Sequence, residues 1–409
     1  MTDRYDVVII GGGIAGSALS TQLTPAGLSV LVLERQTQYR DKVRGEFMHA
    51  WGFAEAMRMG LDDTLRAAGG GLRTILANYD EDVDPEFALA NAVPLAMLIP
   101  GVPGAFAVGH PQASEALNTL ASTRGAHVVR GVGDVEVAAG SSPTVRYELD
   151  GNWCEVACRM IVGADGRQST VRRAVGLALE QQQSKATLGG MLVKADEWPE
   201  QVAFVGNEGD RHVLAFPRPH GLVRLYVACD PGPRTVGPDR AQFMLDAFRL
   251  ECVPGSERLA EAEPMGPCSF YIGTDTWMDR PFVDGAVLIG DAAGWSDPIL
   301  GEGLSVAMRD ARMVADIMLA GDDWSPAALE PYAVERAERM KRLRLIAHVT
   351  TEIRCTFTPE GRARRSAHGA DMATEPLTLG LMIGAVAGPE VGPAEAFEQH
   401  NIDRILALV

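Results

Sequence analysis

Apolar and polar positions follow two different periods along this chain, and the places where the period changes mark its elements. The run Asp6-Val7-Val8-Ile9-Ile10 is apolar without a break after its aspartate, the pattern of a strand buried on both faces of a parallel sheet. It leads straight into Gly11-Gly12-Gly13-Ile14-Ala15-Gly16-Ser17-Ala18, a glycine turn and an apolar helix start. A second such run is Val30-Leu31-Val32-Leu33, closing on Glu34. Phe53, Ala56, Met57, Leu61 and Leu65 stand at helical spacing, punctuated by Gly60 and by Gly69-Gly70-Gly71. Residues 73–107 mix short strand-like runs, such as Thr74-Ile75-Leu76-Ala77, with turns at Pro85, Pro94, Pro100 and Pro103. That mixture predicts part of an inserted region.

Helical spacing returns over 112–120, and 126–129 predicts a strand. Residues 145–149 and 153–160 predict a hairpin joined at Asp150-Gly151, a dipeptide that favours tight turns. The apolar strand Met160-Ile161-Val162 then ends on Gly163-Ala164-Asp165-Gly166, with a helix starting at Ser169. Over 186–280, strand-like segments at 187–193, 202–205, 212–216 and 223–228 accompany one amphipathic helix at 241–250, which predicts an antiparallel sheet covered by a helix. Continuous apolar patterning resumes at Ala286-Val287-Leu288-Ile289-Gly290-Asp291 and passes through Gly294 and Asp297-Pro298-Ile299-Leu300-Gly301-Glu302-Gly303. Beyond it, apolar residues at 304, 307, 308, 311, 314, 315 and 318 form one helical face. Ser325 as N-cap and Pro326 in the first turn predict the next helix. Its dense charges (Glu335, Arg336, Glu338, Arg339, Lys341, Arg342 and Arg344) predict a solvated face with no function of its own.

Composition narrows the class. A chain of 409 residues, 46% of them hydrophobic, can bury a sizeable core and is long enough for two or three domains. Thirty-seven basic against 54 acidic residues leave a net charge of −17, which opposes binding to nucleic acid and to anionic membrane faces. The six cysteines are few and lack zinc-finger spacing, so packed, reduced thiols and no metal site are expected. The first strand begins without a basic segment and apolar core before it, and the apolar tract at 377–388 is too short and glycine-broken to span a bilayer. A cytoplasmic monomer or homodimer without stable membrane insertion is the expectation.

The candidate chemistry lies where strands open onto helices. In Gly11-x-Gly13-x-x-Gly16, the first glycine allows the tight turn, the second lets the backbone approach a pyrophosphate, and the third lets the helix pack near the strand. Ile14 and Ala15 lie at the helix start, whose unpaired N–H groups and positive dipole suit phosphates. Glu34 stands eighteen residues past Gly16, close to the ~20 expected of a ribose-binding acid, with Arg35 beside it. An acid there suits a free 2′-hydroxyl, as in FAD or NAD, and repels the 2′-phosphate of NADP. Arg44, in the charged loop 40–46, is a candidate phosphate or flavin contact.

Three segments thus share one property, a strand C-terminus opening onto a helix N-terminus: 11–16, 163–169 and 290–303. In a doubly wound sheet such edges meet in the ligand crevice. In the order of these motifs, over roughly residues 5–345, the chain resembles the class A flavin-dependent monooxygenases, the family of para-hydroxybenzoate hydroxylase. The resemblance implies an α/β fold: a glutathione-reductase-like Rossmann FAD domain (1–72, 108–180 and 281–325), an interleaved antiparallel-sheet substrate domain (73–107 and 181–280) and a C-terminal helical region (326–409). It implies that Gly11, Gly13 and Gly16 hold the FAD pyrophosphate, Glu34 the adenosine ribose, and Arg44 the phosphate or ribityl side. Asp165 would serve both FAD and the transient pyridine nucleotide, and Asp291 the ribityl hydroxyls. Gln112, with His110 as an alternative register, would contact the cofactor. Pro298, Gly301, Gly303 and Leu304 would lie at the flavin pyrimidine edge, where positive dipole stabilises reduced flavin. Arg218 corresponds to a strand position facing the isoalloxazine and is the one catalytic candidate, with His220 nearby in sequence.

The implied reaction uses NADH or NADPH to reduce FAD, and O2 to form a flavin C4a-hydroperoxide that oxygenates a small, aromatic substrate. The loop 297–303 also resembles that of geranylgeranyl reductases and flavin halogenases, and Gly294 replaces a histidine common in hydroxylases. The halogenase Trp-x-Trp-x-Ile-Pro motif is absent, and Val213-Leu214-Ala215-Phe216-Pro217 lacks the tryptophan of the reductases. A reductase or dehydrogenase is therefore the alternative enzyme, and a noncatalytic flavin-binding protein the alternative outside enzymes.

Overall fold

The unbroken apolar runs form the centre of a parallel sheet. The computed structural model describes residues 3–43, 45–229 and 239–408. In it, strand Asp3–Ile10 lies between Val30–Glu34 and Asn152–Gly163, with His127–Arg130 and Ala286–Leu288 outside these, every one of these pairs parallel. The runs are apolar at every position because both faces are covered. Val7, Ile9, Val32 and Val162 pack under helices Ile14–Leu23, His110–Thr123 and Gly303–Ala320, while Val8, Ile10, Leu31 and Ile161 pack against the opposite layer. That layer includes the hairpin at Asp150-Gly151, whose two residues are both left-handed (φ 51° and 77°), as a two-residue hairpin turn of the favoured hand requires. The seven apolar positions on helix Gly303–Ala320 are all buried.

Register decides where the site falls. Ile10 is paired with Leu33 on one side and Gly163 on the other, and Gly163 with Leu288. The C-terminal ends of four parallel strands therefore lie in one row, and the three glycine-rich segments leave the sheet at the same edge.

The second sheet has the order Glu263–Pro264, Glu180–Lys194, Leu222–Cys229, Arg211–Arg218, Val202–Glu208, Ile75–Asp80 and Val93–Pro94, with Ser269–Trp277 also on Glu180–Lys194. It departs from the antiparallel expectation at one seam: Ile75–Asp80 runs parallel to residues 202–207. That strand comes from the distant insertion, and a long connection permits a parallel neighbour where a hairpin does not. The helix expected at 241–250 is shorter, Arg240–Asp246, capped by Asp239 on the Gln242 N–H; beyond it Phe248 and Leu250 are buried outside the helix.

Helix Pro326–Arg354 starts at the Ser325 cap and packs against Pro359–Thr374, Pro376–Ala387 and Gln399–Leu406. Its Met340, Leu343 and Ile346 share an apolar cluster with Phe47, Trp51, Phe216, Tyr226 and Leu300. The expectation of a solvated charged face holds for Glu338 and Lys341 but fails for two arginines. Arg336 and Arg339 are buried and both bond the buried Asp310, at 3.0 and 2.7 Å. Charge density alone misled because the partner carboxylate lies on another helix. Among the described residues no cysteine is in a disulfide, four of the six are buried, and no helix is long and apolar enough to cross a membrane.

Candidate functional site

The glycine turn shows three separate steric reasons for glycine. Gly11 is left-handed (φ 105°), and a Cβ there would lie 2.3 Å from the Ala164 carbonyl oxygen. The first and second motifs are therefore in direct backbone contact. At Gly16 a Cβ would meet the Gly11 carbonyl oxygen at 2.0 Å, so helix and strand approach as closely as a missing side chain permits. At Gly13 a Cβ meets no protein atom within 4 Å, which opens the helix N-terminus as a cradle. Ile14 and Ala15 are buried just behind it.

Glu34 is buried at the end of its strand and accepts from the Gly12 N–H and the Gln36 N–H, both at 2.7 Å. Its carboxylate thus lies against the turn, with lone pairs left for a further donor. Arg35 points outward and is exposed. Tyr39 donates to the Gly12 carbonyl at 2.5 Å beneath the Arg130 guanidinium, and Asn118 donates to the same carbonyl at 3.3 Å. Arg44 lies outside the described residues.

Asp165 accepts from the Thr170 and Val171 N–H groups through one oxygen (2.6 and 3.3 Å), while its other oxygen is buried without a partner. The adjacent Arg172 joins two motifs, donating to the Ala292 and Arg167 carbonyls at 2.8 Å each. Arg167 in turn reaches Asp291 at 3.3 Å. Carbonyls of the turn at 290–294 are held from below by Arg336, which bonds Ala293 and Gly294 at 2.9 Å each, and the Gly290 N–H donates to Asp310 at 2.8 Å.

The loop after it is fixed by its own acids. Asp297 accepts from Ile299 N–H at 2.9 Å, and its own N–H donates to Asp275 at 2.7 Å. Burial, opposed by that N–H bond and aided by the neighbouring Asp297 charge, pushes the Asp275 carboxyl up to about 7. Burial likewise raises Asp297. Pro298 is half-buried, Gly301 is left-handed (φ 73°), Gly303 is exposed at the start of an 18-residue helix, and Leu304 is buried. Glu302 is 1% exposed, and burial raises its carboxyl well above the usual range. Trp51 Nε1 and Ser305 Oγ face it without closing a hydrogen bond of good geometry.

Facing this edge is a node of buried charge. Arg218, the catalytic candidate, is only 7% exposed and donates to both oxygens of Glu46 at 3.1 and 3.0 Å. Arg224 grips the same carboxylate at 3.2 and 3.0 Å and reaches Asp41 at 2.6 Å. Burial opposes the Arg224 charge, but Glu46, together with Tyr226 and Asp41, outweighs it and holds the guanidinium cationic. Gln112, exposed in the first turn of its helix, meets Arg218 over Gly109, where a Cβ would lie 2.0 Å from the Gln112 amide oxygen and 2.5 Å from the Arg218 guanidinium. The His110 N–H also donates to Glu46, at 3.4 Å. His220, by contrast, is exposed in a left-handed turn position.

Sequence reasoning missed Glu46, Arg224, His49, Glu302 and Arg336. The one available signal was Arg224, a single charge inside the apolar strand Leu222–Cys229. Taken together, the open Gly13 cradle, the unpartnered Asp165 oxygen and the exposed amides at Gly303 fit a long dinucleotide laid along the strand edge.

The fold and this edge define a flavoprotein of the class A monooxygenase type. Residues 4–344 match the FAD binding domain family, and the chain belongs to it. Among curated proteins it is similar to a menaquinone reductase of Mycolicibacterium smegmatis, 27% identical over 85% of this chain and 85% of that protein. It is also similar to a rifampicin monooxygenase of Streptomyces venezuelae, 26% identical over 81% of this chain and 68% of that one. Its fold matches that of p-nitrophenol 4-monooxygenase PnpA from Pseudomonas putida, with a TM-score of 0.75 at 19% identity, covering 98% of this chain and 99% of the other.

Proposed function

We propose that this protein is an FAD-dependent monooxygenase that uses NADH or NADPH and O2 to hydroxylate a small aromatic substrate. The observation that carries the reading is the single row formed by Leu33, Ile10, Gly163 and Leu288, at whose edge all three glycine-rich segments leave the sheet. Gly11, Gly13, Ile14, Ala15 and Gly16 would hold the FAD pyrophosphate, Glu34 and Arg35 the adenosine side, and Asp165, Asp291 and Gln112 the middle of the cofactor. Pro298, Gly301, Gly303 and Leu304 would border the flavin ring. When bound, FAD supplies hydride acceptance and oxygen activation.

The chain's own part is to position and to exclude water. The helix N-terminus at Gly303 would present positive dipole to a flavin ring bound there. The apolar cluster that contains Phe47, Phe216, Tyr226, Leu300, Leu343 and Phe397 would keep water from the reacting atoms. Arg218 and Arg224, clamped on Glu46, tie the loop after residue 40 to the second sheet, in keeping with a division into FAD-binding (1–72, 108–180, 281–325) and substrate (73–107, 181–280) portions.

Screening aromatic compounds for faster NAD(P)H consumption by the yellow protein tests the proposal, with labelled O2 to follow oxygen into product. Incorporated label supports hydroxylation. Faster NAD(P)H oxidation without label in any product supports the second reading, a reductase acting on carbon–carbon double bonds, which the likeness to menaquinone reductase favours. Arg218→Ala is expected to slow flavin reduction or uncouple it; unchanged kinetics remove Arg218 from the site.

A further inference from the structure

A cavity of about 90 Å³ lies between the second sheet and helix Pro326–Arg354, with Asp297 of the loop 297–303 in its wall. Strand Glu180–Lys194 makes the room. Its pairing with Ser269–Trp277 slips between Gln183 and Thr187, so that Ser184, Lys185 and Ala186 together oppose Gly273. At Gly273 a Cβ would lie 2.6 Å from Asp297 Oδ2 and 2.7 Å from Ser184 Cβ, so a glycine there lets the loop's carboxyl lie against the sheet.

Two buried carboxyls line this space. Asp275, 8% exposed, accepts the Asp297 N–H at 2.7 Å; Asp297, 4% exposed, accepts from the Ile299 N–H and the Ser184 hydroxyl. The cations around them are engaged elsewhere. Lys185 pairs with Glu352 and Arg167 with Asp291, while the Arg344 guanidinium lies 4.0 Å from the Trp277 ring centre and also faces Glu180 and Asp279. Burial, countered by the Asp297 N–H bond and reinforced by the Asp297 charge, brings Asp275 up to about 7, where it both takes and gives a proton. Gln182, Gln183, half-buried His348 and Thr351 complete a polar wall, and a polar space of this size takes up water.

The reaction proposed above, NAD(P)H + H⁺ + O2 + RH → NAD(P)⁺ + H2O + ROH, draws one proton from water per turnover. Reduction of a carbon–carbon double bond by NAD(P)H draws one as well. A site that excludes water needs a route for that proton.

We propose that Asp275 and Asp297 form a proton relay, in which water in this cavity carries protons from the surface beside His348 and Lys185 to the two carboxyls and on to the edge bordered by the loop 297–303. Each carboxyl gains one proton as it gives one up, so neither is consumed. The inference rests on a flavin bound at that loop and is indifferent to which of the two reactions follows.

Two measurements test it. In the first, the reduced holoenzyme is mixed with O2 in weak buffer without substrate. Reoxidation, FADH⁻ + O2 + H⁺ → FAD + H2O2, takes one proton from water, and an indicator dye follows it. Asp275→Asn keeps an acceptor for the Asp297 N–H but exchanges no proton, and is expected to slow uptake at least about tenfold. Asp275→Ala should be slow too, and should regain the rate when formate, a small acid that fits the cavity, is added. Uptake unaltered in both variants, or a slow Asp275→Ala that formate does not restore, overturns the relay while leaving the flavin reading standing. A protein that takes up no FAD removes the flavin reading and the relay with it. The second measurement reads the protein with or without FAD. The infrared stretch of a protonated carboxyl is expected to fade as pH rises through about 7 and to be missing in Asp275→Asn; a spectrum unaltered by that substitution overturns the relay whatever the flavin does.

Discussion

Replacing Glu46 by glutamine strikes the joint between the two sheets. The carboxylate, 2% exposed, receives Arg218 Nη1, Arg224 Nε, Arg224 Nη2 and the His110 N–H. Asp41, which is about a quarter exposed, is the other carboxylate bonded to Arg224. Glutamine keeps the shape but turns one acceptor into a donor and removes the charge facing two buried guanidiniums. Breaking a buried ion pair from one side costs about 3–5 kcal/mol, because the partner charge remains desolvated. Unfolding entropy of about 2 cal/mol/K per residue, over 409 residues, converts about 4 kcal/mol into a fall of about 5 °C in Tm. Differential scanning calorimetry on the FAD-free protein reads this without interference from cofactor binding. Adding Arg224→Met removes one of the stranded charges and should recover part of the loss, a non-additive result expected only of groups in contact. A Glu46→Gln protein melting within about 1 °C of the wild type would refute the reasoning.

Two glycines of the turn should fail in opposite ways. Gly13→Val places its Cβ where no protein atom lies within 4 Å, so the apo fold should persist by circular dichroism while FAD affinity, followed by flavin fluorescence, falls at least about tenfold. Gly16→Ala drives a Cβ to 2.0 Å from the Gly11 carbonyl oxygen and should lower the stability of the apo protein itself. Asp275 gives a pH signature. Its carboxyl, ordinarily at 3.8, lies at about 7 in the fold. The folded state therefore holds a proton the unfolded state releases, so the stabilising contribution is complete below 3.8 and is lost as pH rises through 7. At about 1.4 kcal/mol per pH unit, the loss approaches about 4 kcal/mol, and Asp275→Asn should flatten the fall in Tm between pH 4 and 7; an unchanged profile removes Asp275 as its source.

What could be read from the chain followed from local causes. Gly11 and Gly16 are dictated by backbone contacts a few ångströms away, and the continuous apolar strands by burial on both faces, so turn, sheet and edge were all legible. The Ser325 cap and the buried face of helix Gly303–Ala320 were visible for the same reason. What escaped depended on partners far along the chain. Glu46 looks like one charge among several in a loop, and only its pairing with residues 172 and 178 positions away makes it a buried rivet. Arg336 lies in a helix dense with charge, yet its guanidinium closes the turn at 290–294 beneath the third glycine-rich edge. His49 carried no local mark, because its tautomer is set by a carbonyl 251 residues away. Periodicity reports which side of an element is buried, but not which opposite charge waits there.

The central claim is that several strand ends converge to hold one flavin dinucleotide, and titration of the FAD-stripped protein with FAD tests it most directly. The account predicts saturable uptake of one FAD per chain, yellow protein, and flavin fluorescence that changes on binding and is lost as an effect in Gly13→Val. A folded, colourless protein that takes up no FAD would contradict it.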